Sequence, residues 1–174
     1  MIAGVAEIAV TVVGKDRPGI IARTAELLSE LGMNLEDSSM TRLRGHFAMT
    51  LICLGDAEAD RVEQVLSGLA DDSLEVTVRT VQPGTHEAEQ GAESWLVSVY
   101  GADRLGIVAR IAAVIAAAGG NITDLTTRHL RELYVLSAEV DLVGSAEALQ
   151  AELRRTGADL GVQVSMEPLS DDEL

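Results

Sequence analysis

The second half of the sequence repeats the first half at an offset of 87 residues. The segment GKDRPGIIAR at 14–23 aligns with GADRLGIVAR at 101–110, and seven of the ten residue pairs are identical. The alignment continues without a gap as far as Arg44 and Arg131. Similarity of this kind is the signature of tandem fusion of one structural unit. The chain is therefore predicted to fold as two copies of one domain.

The segment between the two copies is polar and has no apolar periodicity. Residues 83–93, PGTHEAEQGAE, include Pro and Gly, and this composition favours a linker. The predicted domains are therefore 1–82 and 94–169. The last residues, 170–174, have the acidic sequence SDDEL and are predicted to form a solvated end.

Each copy contains the same order of predicted elements: strand, helix, two strands, helix, strand. The strand-like runs are rich in β-branched residues, whereas the helical segments place apolar residues at intervals of three and four. The predicted strands are 8–13, 35–43, 45–54 and 74–81, then 95–100, 122–130, 132–142 and 160–166, and the predicted helices are 18–31, 57–69, 105–118 and 145–155.

The βαββαβ order predicts an α+β, ferredoxin-like fold for each copy. With right-handed crossovers, four strands form one antiparallel sheet and both helices cover the same face. The opposite face of the sheet is left uncovered. The solvent-accessible surface of a folded protein scales with its mass. By this scaling, two separate halves expose on the order of 1,000 Å² more surface than one compact body, and docking would bury that area. We therefore expect the halves to pack together or with another chain, as a homodimer or a larger oligomer.

The turn between the first strand and the first helix carries the most specific motif, Gly-x-Asp-Arg-x-Gly-Ile, in both copies. Asp16 and Asp103 are predicted helix N-caps, and Pro18 suits the first turn of a helix. Gly19 and Gly106 have no Cβ, which leaves room for a backbone or a ligand. Free N–H groups and the helix dipole favour a carboxylate here, by ~0.3–1 kcal/mol from the dipole. From these residues alone, a simple helix cap and a binding loop both stay open.

These motifs resemble the signature of ACT domains. The resemblance rests on DRPGI at 16–20 followed by GMNL at 32–35, and on DRLGI at 103–107 followed by GGNI at 119–122. It covers both copies and hence nearly the whole chain. A tandem ACT pair with no attached enzyme is similar to the glycine cleavage system repressor group of regulators.

The resemblance implies a small amino-acid ligand that binds where two ACT units meet, and a partner protein, either a transcription factor or an enzyme. Carried over by position, the ligand-binding residues are Gly14, Asp16, Arg17, Pro18, Gly19, Ile20 and Asn34 in the first copy, and Gly101, Asp103, Arg104, Leu105, Gly106, Ile107 and Asn121 in the second. Leu105 stands where the first copy has proline, so the first loop is the stronger candidate for a binding site.

Charge and composition weigh against a nucleic-acid or membrane partner. The chain has 13 Lys and Arg against 28 Asp and Glu, a net charge of −15, and only 2% aromatic residues. An acidic surface repels polyanions, and few aromatic side chains are available to stack on bases. RNA binding, which can use the same βαββαβ order, therefore ranks low, and Phe47 and Tyr134 are expected to fill core positions.

Few residues are candidates for catalysis. His46, His86 and His129 are scattered along the sequence, and Cys53 lies in an apolar strand with no base beside it. We therefore expect no enzyme activity, no cofactor and no metal site.

A single cysteine suits a reducing cytoplasm, and neither a signal peptide nor a membrane anchor is predicted. The alternative to a repressor-like regulator is an accessory regulatory subunit of an amino-acid metabolic enzyme.

Overall fold

A computed structural model describes residues 6–70, 73–82, 91–131 and 133–169 of the chain. The predicted acidic tail, linker positions 83–90 and His86 lie outside the described residues. The chain divides into two compact units, Met1–Thr85 and His86–Leu174, and each is described by itself. Glu93, the last residue of the predicted linker, is the first residue of a strand. The domain boundaries proposed from the sequence stay a prediction.

Each unit consists of one four-stranded antiparallel sheet and two helices. Unit 1 contains β1 (Ala6–Lys15), α1 (Ile20–Glu30), β2 (Asn34–Leu43), β3 (His46–Gly55), α2 (Ala59–Leu66), a 3₁₀ turn (Ser67–Leu69) and β4 (Leu74–Val81). Unit 2 contains β5 (Glu93–Ala102), α3 (Ile107–Ala117), β6 (Gly120–Leu130), β7 (Leu133–Leu142), α4 (Ala146–Leu160) and β8 (Val162–Pro168). The strand orders, β2-β3-β1-β4 and β6-β7-β5-β8, confirm the predicted ferredoxin-like fold.

The core of each unit lies between the sheet and its helices. Alternate residues of the central strands face the helices and are buried, whereas no residue of edge strand β2 or β6 is buried. The strand residues of the two cores include Ile8, Val10, Val12, Phe47, Met49, Leu51 and Cys53, and then Val97, Val99, Leu136, Ala138, Val140 and Leu142. The edge strands leave apolar side chains such as Met40 and Leu125 exposed, because the helices do not cover them.

Backbone irregularities recur at the 87-residue offset. The β2–β3 hairpin turns at Arg44 and Gly45, where both φ values are positive, as two-residue hairpins require. Arg131 has a positive φ at the corresponding turn of unit 2. The predicted hairpins are therefore confirmed. A register shift between Leu35 and Asp37 likewise has its counterpart between 122 and 124.

Glycines end the first helix of each unit, as predicted. Gly32 and Gly119 have φ values of 69° and 78°. After α1, the N–H of Gly32 donates to Ser29 O at 3.0 Å and the N–H of Met33 donates to Leu28 O at 3.0 Å. This pair of bonds is a Schellman motif, which satisfies carbonyl groups left open at the helix end.

Several predicted boundaries were wrong. Helix α4 continues to Leu160 instead of stopping at 155, so the last strand begins at Val162. Helix α4 continues through Gly157. The lack of a side chain there lets α4 lie close to β8, since a Cβ on Gly157 would be 2.6 Å from Cγ2 of Val164. Ile21, predicted in the buried stripe of α1, is exposed.

Candidate functional site

A left-handed glycine sets the backbone between the first strand and the first helix of each unit. Gly19 and Gly106 have φ values of 92° and 91° and are the N-cap residues of α1 and α3. The carbonyl oxygen of Gly19 accepts a hydrogen bond from the N–H of Arg23 at 2.9 Å, and Gly106 accepts one from Arg110 at 3.0 Å. Glycine adopts this conformation without the steric cost that a Cβ imposes.

Asp16 and Asp103 are not helix N-caps, and that prediction was wrong. Each lies three residues before the N-cap glycine, and no side chain forms a capping hydrogen bond at either helix. Pro18 lies in the turn before α1, not in its first helical turn as predicted, because the helix begins only at Ile20. Neither helix has an acidic residue in its first turn. The positive ends of both helices therefore have no carboxylate cap.

The two aspartates instead lie near a basic residue on the neighbouring edge strand. Arg42 Nη1 on β2 donates to Asp16 Oδ2 at 3.3 Å. His129 Nε2 on β6 lies 3.7 Å from Asp103 Oδ2. The sequence had not placed either basic residue at the loops, although positions 42 and 129 are 87 residues apart and the repeat could have linked them. These contacts connect each loop to its own sheet.

Gly14 and Gly101 lie inside β1 and β5, one residue before the strand ends, where another strand approaches closely. A Cβ on Gly14 would lie 2.7 Å from the Cα of Leu74, and one on Gly101 would lie 2.6 Å from Cγ1 of Val162. Both distances are shorter than normal carbon contacts. Close strand packing therefore accounts for these two glycines without a ligand.

A cavity of about 270 Å³ borders the loop of unit 1. Its lining residues are Arg17, Pro18, Gly19, Ile20, Arg23, Gly68, Leu69 and Leu74. The lining contains two guanidinium groups and, among the described residues, no carboxylate. Arg23 also pairs with Glu26 at 2.6 Å on the exposed side of α1. The cavity lies towards the 3₁₀ turn that follows α2.

A larger cavity, of about 500 Å³, borders the loop of unit 2. Its lining residues are Asp103, Arg104, Leu105, Gly106, Ile107, Val108, Ala109 and Tyr134. Leu105 is fully exposed, and Tyr134 contributes a partly buried ring from β7. Asp103 and Arg104 thus line the same open cavity as several apolar residues.

The longer second helix of unit 2 explains why the two cavities differ. Helix α4 has 15 residues against eight in α2, and it ends at the left-handed Gly161. Arg104 lies over this end, 3.3 Å from the position of a Cβ on Gly161, where the helix dipole favours a cation. Arg110 Nη2 lies 3.4 Å from Asp159 Oδ2 on the same helix. Arg104 and Arg110 therefore both lie at the end of α4.

The structure does not bring Asn34 or Asn121 to the loop of its own unit. Asn34 pairs with Leu54, at the end of the sheet opposite the hairpin, and its Nδ2 donates to Glu36 Oε1 at 2.7 Å. Asn121 pairs with Asp141 at the equivalent end of the other sheet. A role for either asparagine beside a loop ligand stays a prediction.

Cys53 and the described histidines do not form a reactive cluster. Cys53 is fully buried on β3, and burial raises the pKa of its thiol, which keeps it protonated. His46 and His129 are exposed at the hairpin ends of the two sheets. Within the described ranges, no group of three or more His, Cys, Asp or Glu is placed to hold a metal ion. None of the helices in those ranges has the length and apolar character needed to cross a membrane.

Two solved structures resemble the chain over most of its length. An unknown protein from Galdieria sulphuraria has a TM-score of 0.81 and 24% identity, and covers 95% of this chain and 99% of its own. A protein proposed to be a glycine cleavage system transcriptional repressor has a TM-score of 0.75 and 22% identity, with 97% and 99% covered. At these identities the likeness shows the fold alone.

Sequence comparison identifies the family. A UPF0237 protein from Methanopyrus kandleri is 43% identical over 72 residues, which are 40% of this chain and 80% of that protein. A UPF0237 protein from Listeria monocytogenes is 38% identical over 65 residues, 36% of this chain and 73% of that protein. The model of the ACT domain matches residues 7–81 and 93–167. The chain therefore belongs to the ACT domain family and carries two ACT domains in tandem.

Proposed function

We propose that this protein is a non-catalytic regulator that binds a free amino acid at the loop of unit 2 and controls a partner protein. The observation that carries the proposal is that Asp103 and Arg104 line one cavity of about 500 Å³. A free amino acid presents an ammonium and a carboxylate, and this pair offers an opposite charge to each. The membership of both units in a regulatory fold family supports the same role.

In this proposal the ligand carboxylate lies at the positive end of α3. Arg104 provides a guanidinium, and the N–H groups of the first helical turn have no side-chain cap. The ligand ammonium lies beside Asp103, whose other neighbour is the imidazole of His129. The first loop was the stronger candidate from sequence, but we propose the second loop because Asp103 and Arg104 line the same cavity there.

The expected affinity suits a sensor of metabolite levels. A ceiling of ~1.5 kcal/mol per non-hydrogen atom limits a five-atom ligand such as glycine to roughly 7.5 kcal/mol. That free energy corresponds to a dissociation constant in the micromolar range at best. Ligand occupancy would therefore follow micromolar to millimolar changes in concentration.

The proposed partner is a protein, either a transcription factor or a metabolic enzyme, and the proposed assembly is a homodimer or larger. The net charge of −15 opposes direct DNA binding. One structural relative is proposed to be a transcriptional repressor, so transcriptional control is one of the two proposed modes, and the proposed location is the cytoplasm. Phe47 is 2% exposed, so it is poorly placed to stack on RNA bases. Catalysis is not part of the proposal, because Cys53 is buried and protonated.

Calorimetry of the full chain with each of the twenty amino acids tests the proposal. We expect saturable heat with at least one of them, and Asp103→Asn should weaken that binding by about tenfold or more, because a charge-assisted contact is lost. Asp16→Asn, at the repeat-equivalent position, is the matched control and should leave the affinity within about twofold. Absence of binding heat with all twenty amino acids at millimolar concentration would refute ligand binding. If Asp16→Asn weakens amino-acid binding and Asp103→Asn does not, the binding site lies at the first loop.

A further inference from the structure

We propose that the unit 2 cavity selects amino acids with a larger apolar side chain, of the leucine or phenylalanine class, over glycine and alanine. This inference rests on the proposed function, since it assumes that the same cavity binds an amino acid. It starts from one juxtaposition: Leu105, Val108 and the ring of Tyr134 line the cavity that also contains Asp103 and Arg104. The charged residues match the part common to all amino acids, and the apolar residues match the side chain.

The wall is built from three separate parts of the unit. Leu105 belongs to the loop, Val108 lies in the first turn of α3, and Tyr134 comes from β7, where it is opposite Gly101. Leu105 is fully exposed, so nothing within the described part of unit 2 covers it. An apolar ligand side chain seated between these residues would shield Leu105 from water, which a ligand without a side chain cannot do.

Size supports the same selectivity. The cavity has about 500 Å³ and the cavity of the first loop about 270 Å³, and known small-molecule sites span roughly 300–1,000 Å³. Glycine has five non-hydrogen atoms and leaves most of the larger cavity filled with water. Each additional buried methylene raises affinity by about fourfold. Because the cavity is open to solvent and covers only part of a side chain, we expect a four-carbon side chain to gain at least about tenfold over glycine.

The first loop has a different lining, which makes it an internal comparison. The repeat-equivalent residues of the wall are Pro18, Ile21 and Phe47, and of these only Pro18 lines the first cavity. Phe47 is buried in the core, and Ile21 is exposed elsewhere on α1. The first cavity combines Arg17 and Arg23 with the apolar residues Pro18, Ile20, Leu69 and Leu74. Substitutions in the wall formed by Leu105, Val108 and Tyr134 therefore test the cavity of unit 2 separately from that of unit 1.

Titration calorimetry of the full chain with glycine, alanine, valine, leucine and phenylalanine tests the inference. We expect the dissociation constant to fall along the series, with leucine or phenylalanine at least about tenfold tighter than glycine. Leu105→Pro, which copies the first loop, and Val108→Thr, which puts a hydroxyl on the wall, should each reduce the leucine-to-glycine ratio by about threefold or more. Pro18→Leu and Ile21→Thr are the matched controls in unit 1 and should leave the ratio unchanged.

The possible outcomes separate the inference from the proposed function. Equal affinity for glycine and leucine, or a ratio that survives both wall substitutions, overturns the apolar selectivity while amino-acid binding stands. A ratio that changes with Pro18→Leu but not with Leu105→Pro also overturns it, because the selecting wall would then lie in unit 1. Absence of heat with every amino acid removes the proposed function itself.

Discussion

The loop before α1 and the loop before α3 have the same backbone but border different cavities. Both loops place glycine at φ near 90° as the N-cap, and both contain an aspartate near a basic residue of the edge strand. Their cavities differ in size and lining, because α4 is nearly twice as long as α2 and because tyrosine in unit 2 replaces phenylalanine in unit 1. Duplication has therefore kept the backbone and changed the surfaces available to ligands.

Alanine substitutions at Gly14 and Gly101 should produce the largest difference in stability between the two units. A Cβ on Gly14 would press against the backbone of Ser73 and Leu74, whereas one on Gly101 would meet mainly the side chain of Val162. Backbone cannot move aside as a side chain can. We expect Gly14→Ala to destabilise unit 1 by about 3 kcal/mol or more and Gly101→Ala to destabilise unit 2 by about 1–2 kcal/mol.

Each unit carries its own probe for this experiment. Trp95 is the one tryptophan of the chain and lies in unit 2, and Cys53 is the one cysteine and is buried in unit 1. Denaturant unfolding would be followed by tryptophan fluorescence for unit 2 and by thiol labelling for unit 1. Equal losses of unfolding free energy in the two units would contradict this reasoning. They would mean that the backbone near Gly14 moves aside as easily as the side chain of Val162 near Gly101.

Gly19 and Gly106 should respond equally, in contrast to the strand glycines. No atom lies within 4 Å of a Cβ at either position, and both φ values are near 90°. Substitution by alanine therefore costs only the left-handed conformation, about 1–2 kcal/mol in each unit. The two unit-specific probes measure this cost, and the double variant should show additive losses. A difference above about 1 kcal/mol between the two units would show that their loop backbones are not equivalent.

The fold could be predicted almost completely from the repeat and the apolar periodicity. Element order, sheet class, both hairpins and the helix-ending glycines all follow from patterns within about fifteen residues. The helix ends were harder, because they depend on contacts with distant residues. The end of α4 is the clearest example: the helix predicted to stop at 155 continues through Gly157 to Leu160, and the lack of a side chain at Gly157 lets α4 lie close to β8.

The sequence predicted which loops form the candidate site but not which distant residues contact those loops. The motif identified both loops, and the family resemblance supplied the ligand class. The cavity of unit 2 depends on Tyr134, which lies 29 residues beyond Leu105 and reaches the loop only through the sheet register. The same limit applies to Arg42 and Asp16, which are 26 residues apart. Sequence spacing alone gives neither contact.

High pH should affect the two units differently through Cys53. Burial raises the pKa of this thiol in the folded unit 1, so the unfolded chain loses the proton first as pH rises through about 8.5. Stability of unit 1 should then fall above that pH, by at most ~1.4 kcal/mol per pH unit. Between pH 8 and 9.5 we therefore expect the unfolding free energy of unit 1 to decrease.

Cys53→Ala provides the control for this pH effect. The variant should remove the extra pH dependence of unit 1, measured by denaturant unfolding with circular dichroism. Unit 2 has no cysteine, so its tryptophan transition should lack this dependence in the same range. A pH slope that persists in the variant would assign the effect to other groups.

The two side-chain contacts between the loops and the edge strands should have the smallest effect. Arg42 and Asp16 are 3.3 Å apart with side chains 68% and 32% exposed, and the 3.7 Å contact between His129 and Asp103 is also solvent-accessible. Water and salt screen such pairs, so Arg42→Gln and His129→Gln should each change unfolding stability by less than about 0.5 kcal/mol. Unfolding midpoints in low and high salt measure this. A loss above about 1 kcal/mol in one unit alone would mean that this contact orders its loop, and the two loops would then differ in how they are held as well as in what they bind.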